Sequence, residues 1–125
     1  MASKVAYSAP FKVLNDKGLR MIRKTIADHD SFVTRNDRMR GGALRGLHYM
    51  SKFNEEFLHD PVFLDKISKI AGEPLVPTSF CSHMLHLNFG RVGSANGADA
   101  WHFDSVDYVL VIILSDITDM VGGEL

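Results

Sequence analysis

Cysteine is nearly absent from this chain: Cys81 stands alone among 125 residues. A single thiol has no intrachain partner, which removes the disulfide framework on which small secreted domains depend. An excess of charge of either sign is lacking too. Lys and Arg number 14 against 15 Asp and Glu, for a net charge of -1. No long-range field therefore draws the chain to nucleic acid or anionic lipid. The one local group of cations, Arg35, Arg38 and Arg40, fits either a solvated loop or contact with a substrate phosphate or carboxylate. Long apolar runs are also missing. The longest, Val109 to Leu114, falls far below the roughly 20 residues that a bilayer-spanning helix needs. The segment from Met1 to Ser8 has no apolar core of the signal-peptide kind. Internal repeats and low-complexity tracts are absent. These absences lead us to expect a cytoplasmic chain with neither nucleic acid nor membrane as partner.

What remains is ordinary globular material. Hydrophobic residues make up 46% of the chain, enough for one domain with a core. Phe11 to Leu14 reads as a short strand. Asn15 or Asp16 can then cap a helix running to about Asp28, with Leu19, Ile22 and Ile26 on one face. Asp30 to Gly42 is polar and ends in glycine, which predicts a loop. Ala43 to Tyr49 reads as a strand or an extended segment. Ser51 is a cap for a short helix through Phe53, Phe57 and Leu58. Asp60-Pro61 is a stronger start signal, a capping carboxylate followed by proline at the first helical position. The helix it opens carries Val62, Phe63, Ile67 and Ile70 and stops near Gly72.

After Pro77 the period changes from helical to alternating. Cys81 to Phe89 predicts a strand with Leu85, Leu87 and Phe89 on one face and Met84, His86 and Asn88 on the other. Gly90 to Ala100 reads as a loop, and Trp101 to Asp104 as a new extended segment. Val106 to Leu114 predicts a strand buried on both faces, because its apolar residues run almost without a break. Asp116 to Asp119 reads as a turn, and Gly122 to Leu125 as the opening of another strand. Helices first and strands afterwards favour an α+β fold, with residues 1–77 a mainly helical support and 78–125 a mostly antiparallel sheet.

His102 and Asp104 are the residues with metal chemistry in them. Two apart on an extended segment, their side chains project from one face. An imidazole nitrogen and a carboxylate oxygen can then reach one ion. Two protein ligands leave room for a third and for open positions, as the non-haem iron arrangement of two histidines and one carboxylate requires. His-x-Asp alone is a weak signal. Its spacing also fits a histidine bonded locally and an aspartate capping a turn. The setting is more specific, since the pair lies between a glycine-rich loop and an apolar strand, a place where binding groups tend to sit.

The run Asn88-Phe89-Gly90-Arg91-Val92-Gly93-Ser94, then Trp101-His102-Phe103-Asp104-Ser105-Val106-Asp107-Tyr108, then Gly122-Gly123-Glu124-Leu125 resembles the iron(II)/2-oxoglutarate-dependent dioxygenases. Within them it is most similar to a branch of small-molecule and amino-acid hydroxylases and halogenases. The resemblance is specific over about residues 84 to 125 and general before that. It implies N-terminal helices packed on a double-stranded β-helix, or jelly roll. It implies that His102 and Asp104 bind iron(II), with 2-oxoglutarate as cosubstrate, dioxygen as oxidant and a small molecule as substrate. A carboxylate at position 104, where related halogenases carry a small residue, implies hydroxylation or another oxidative outcome and not halogenation. The family also uses a distal histidine and a basic residue, usually arginine, that binds 2-oxoglutarate. Neither can be assigned here, so 1–125 is expected to be the N-terminal part of such an enzyme, inactive by itself.

Other side chains carry two readings each. His86 and Asn88 share a strand face and can contact 2-oxoglutarate or substrate, or form a buried polar pair satisfied by neighbours. His83 and His86 on a strand would point to opposite faces. Trp101 packs beside the site or stacks on substrate. Asp107 and Tyr108 orient the ligands or simply pack. Cys81 reads as a buried apolar filler. Glu124 suggests a strand-opening role. His29, His48 and His59 show no partner pattern. A second class of function, a non-catalytic module that associates with another chain, and a homo-oligomer both stay open.

Overall fold

A computed structural model describes residues 7–34, 41–81, 83–90, 104 and 106–118. Among these residues, three α-helices and a two-stranded antiparallel sheet make it α+β. Helix α1 spans Asp16–Asp28, strand β1 Gly41–Leu44, helix α2 Lys52–His59, helix α3 Pro61–Ala71 and strand β2 Leu87–Gly90.

Each helix starts where a short polar side chain meets the amide three residues on. Asn15 accepts from the Gly18 N–H at 2.9 Å, Ser51 from Asn54 at 3.2 Å and Asp60 from Phe63 at 2.7 Å. Each bond satisfies an amide that has no partner within its helix. α1 buries Ile22 and half-buries Leu19 and Ile26, the expected face. α3 ends at Gly72, whose φ of 74° is a left-handed cap conformation that glycine adopts without a Cβ clash. Phe63, Ile67 and Ile70 of α3 are half-buried, whereas Val62 is exposed.

The core forms on Ile22, Leu44 and Leu47, with Leu14, Phe53, Leu87 and Phe89 packed against it. β1 pairs with β2 in the register Gly41↔Gly90, Gly42↔Phe89, Ala43↔Asn88 and Leu44↔Leu87. On its other edge Ala43 exchanges both backbone bonds with Thr34, at 2.8 and 3.0 Å. β1 is thus an inner strand although it has four residues. Gly46, at φ 69°, turns the chain into a 3₁₀ turn over Leu47–Met50. The Leu47 amide donates to the Leu85 carbonyl at 3.0 Å, and Asn54 Nδ2 donates to the Leu47 carbonyl at 2.8 Å. This turn therefore ties β1, α2 and the approach to β2 together.

Several strand expectations are corrected. Phe11 to Leu14 has no ladder among the described residues. Its Lys12 carbonyl accepts from Lys66 Nζ at 2.9 Å, and Leu14 packs on the core. The loop expected over Asp30 to Gly42 contains a 3₁₀ turn at Asp30–Phe32 and the bridge at Thr34, and β1 already begins at Gly41. Ala43 to Tyr49 is strand only to Leu44. Cys81 to Phe89 becomes strand only at Leu87. The His83 amide donates to the Phe80 carbonyl in a turn, and the Leu85 carbonyl is taken by Leu47.

Val106 to Leu114 is not a strand buried on both faces. Val111 is 75% exposed, and Val109 and Ile113 are more than half exposed. The segment is held by Arg23 of α1, whose guanidinium donates to the Leu114 carbonyl, while Leu114 packs on the core. Residues 116–118 turn as expected, with the Thr118 amide and hydroxyl both donating to Asp116 Oδ1. The Thr118 hydroxyl, together with its amide, holds the Asp116 carboxyl below the usual range. No helix of the described residues is long and apolar enough to cross a membrane.

Candidate metal centre

β2 fixes the orientation of two of the expected binding residues. Leu87 and Phe89 turn toward the core, so the pleat sends Asn88 to the opposite face, and His86 just before the strand joins it there. Both are exposed. The expected alternation therefore holds from Leu85 to Gly90, and the alternative of a buried polar pair is corrected. Asn88 sits opposite Ala43 in the ladder. The His86 ring is positioned by a 3.3 Å contact between its Nδ1 and the His83 carbonyl.

His83 and His86 lie in a turn, not on opposite faces of a strand. Their rings stand edge to face with centroids 6.0 Å apart. Cys81 belongs to the same turn and is exposed, not a buried filler. Its thiol raises the Tyr49 phenol above its ordinary value through a hydrogen bond, with burial and the charges of Cys81 and Glu55 adding to the shift.

Asp104 is exposed, as is Asp107, and Tyr108 is half-buried. An exposed carboxylate at 104 suits a metal ligand, and the nitrogen-and-oxygen donor set of His102 with Asp104 suits iron(II). His102, Trp101 and Glu124 lie outside the described residues, as do Arg35, Arg38 and Arg40. Among the described residues, no three His, Cys, Asp or Glu side chains come together as a metal site. The structure thus brings His86 and Asn88 to one face and describes Asp104 but not His102.

An open apolar groove of about 590 Å³ lies elsewhere, between residues 11–14 and the three helices, over Phe11, Leu14, Met21, Phe53, Phe57 and Phe63. None of His86, Asn88 and Asp104 lines it. Sequence reasoning also passed over His48. It is 4% exposed, and both ring nitrogens lack a hydrogen-bond partner. No local pattern marks such a residue, because its burial comes from the packing of the 3₁₀ turn on α2. No protein-family model, curated protein or solved structure matches the chain.

Proposed function

We propose that the chain carries the first part of an iron(II)- and 2-oxoglutarate-dependent dioxygenase that hydroxylates a small organic substrate, built as helices on a double-stranded β-helix. One observation carries the reading: Trp101-His102-Phe103-Asp104 stands before the apolar run 106–114 and Gly122-Gly123-Glu124-Leu125. His102 and Asp104 hold the iron. His102 binds as the neutral imidazole, so acid weakens the site by protonating it. Asp104 offsets part of the metal charge. Asn88 and His86 present hydrogen-bonding groups on the exposed face of β2 and contact the 2-oxoglutarate carboxylate or substrate. Iron with 2-oxoglutarate, when bound, supplies dioxygen activation and the oxidising power for a substrate C–H bond. Anaerobic addition of iron(II) and then 2-oxoglutarate to a version extended past Leu125, which would bring in the distal histidine and the basic residue, tests this. A visible charge-transfer band should appear and be lost in His102→Ala. A folded, iron-loaded protein without the band contradicts the reading.

A second reading is a non-catalytic module that associates with another chain. The exposed side chains of Val109, Leu110, Val111 and Ile113 favour it, because a contiguous apolar surface of this kind marks an interaction site. Mass measurement in solution together with metal analysis separates the two. A monomer with one iron per chain supports the enzyme, and a metal-free complex supports the module.

A further inference from the structure

The 3₁₀ turn over Leu47–Met50 holds the approach to β2, since its Leu47 amide is bonded to the Leu85 carbonyl. His48 sits inside that turn, 4% exposed, with neither Nδ1 nor Nε2 bonded. Among the described residues the ring paired with it is that of Tyr49, with centroids 3.9 Å apart, and an aromatic ring accepts a proton poorly. The neutral imidazole needs one donor and one acceptor satisfied, while the cation presents two donors and a charge. Charging it in place leaves a buried cation with no acceptor, which is far more costly than the neutral ring.

Neighbouring charges do little to help. On α2, His59 opposes a positive His48, Glu55 favours it by less, and Lys52 is engaged with Glu56 at 3.4 Å. α1 turns Ile22 and Thr25 inward and keeps Asp16, Lys17, Arg20, Arg23, Lys24 and Asp28 exposed. From the turn before β2, Cys81 meets Tyr49, and His83 and His86 are exposed. Arg45 beside the turn is exposed as well. Asn54 Oδ1, buried in the same contact with α2, already lacks a partner.

We propose that His48 is an acid-sensitive latch: protonation of its buried ring releases the Leu47–Met50 turn and with it the Leu47–Leu85 hydrogen bond that holds the approach to β2. Burial, and then His59, lowers the His48 pKa from its ordinary value of 6.5. The unfolded or released turn therefore binds the proton more readily than the closed one. The closed turn is fully favoured above the ordinary value and loses ground as pH falls from there toward the lowered one. Because the approach to β2 carries His86 and β2 itself carries Asn88, the latch couples acidity to that face. It stands independently of whether iron binds at His102 and Asp104.

The test is an NMR titration of the histidine rings and of amide protection between about pH 7.5 and about pH 5. His48 should stay neutral below its ordinary value of 6.5. Leu47 protection should fall by up to about tenfold per pH unit while α1 amides keep theirs. In His48→Phe, Leu47 protection should be flat with pH. The proposal is overturned if His48 titrates at or above its ordinary value of 6.5 while Leu47 stays protected. It is also overturned if α1 and Leu47 lose protection in step, or if the loss persists in the variant. Should the variant not fold, the wild-type titration alone decides.

Discussion

Leu44 has no exposed surface and joins Ile22 and Leu47 at the centre of the core. Leu44→Ala deletes buried methyl groups and leaves a cavity, so it should cost about 3 kcal/mol in urea unfolding. A loss under about 1 kcal/mol would place the core elsewhere. Cys81 makes the opposite case. As the chain's one cysteine it reads as a small buried hydrophobe, but the turn that holds it comes before β2 begins and leaves it exposed. A thiol reagent should reach it in the native protein within about tenfold of the unfolded rate. Protection of about a hundredfold or more would contradict that exposure. Ile22 could be read in advance because helical periodicity marks an inward face. His48 could not, because its burial is made by contacts between elements, and its own neighbours carry no signal for it.

At the scale of elements, signals confined to four or five residues were legible. Asn15, Ser51, Asp60-Pro61 and Gly72 each bound a helix through a bond or a backbone angle that neighbouring residues determine. Asp60→Ala should destabilise by about 1 kcal/mol, and Asp60→Asn should restore most of it, in thermal unfolding. An equal loss in both would assign the effect to charge and not to the cap. Strands were less legible because a strand needs a partner that local sequence does not name. β1 hides in Gly41-Gly42-Ala43-Leu44, which has little strand propensity. It exists because Thr34 and β2 supply both edges. A Cβ at Gly41 would stand 2.0 Å from the Phe89 carbonyl oxygen. Gly41→Ala should therefore disrupt the Gly41↔Gly90 end of the ladder and lower amide protection there, whereas Gly90→Ala, with open space at its Cβ, should not.

For the whole molecule, the class was legible and the architecture only in part. The α+β class is found, but β1 lies between α1 and α2 instead of after the helices, and the run from Val109 to Ile113 has the composition of a buried strand and an exposed position. Composition records what a segment is suited to, not which neighbour covers it. Exposed apolar residues in an extended run with near-zero net charge favour association between copies. Val111→Lys should reduce self-association seen by sedimentation, and a wild-type chain that stays monomeric at about 100 µM would count against this. The candidate site was legible as His102-x-Asp104 and as the shared face of His86 and Asn88. Only the second falls within the described residues. The pair itself can be tested in solution through Trp101, the only tryptophan in the chain and the neighbour of His102. Anaerobic iron(II) titration followed by Trp101 fluorescence should show saturable quenching at one iron per chain, weakened at least about tenfold in both His102→Ala and Asp104→Ala. Quenching that does not saturate, or that is unchanged in either variant, would contradict the assignment of iron to these two residues.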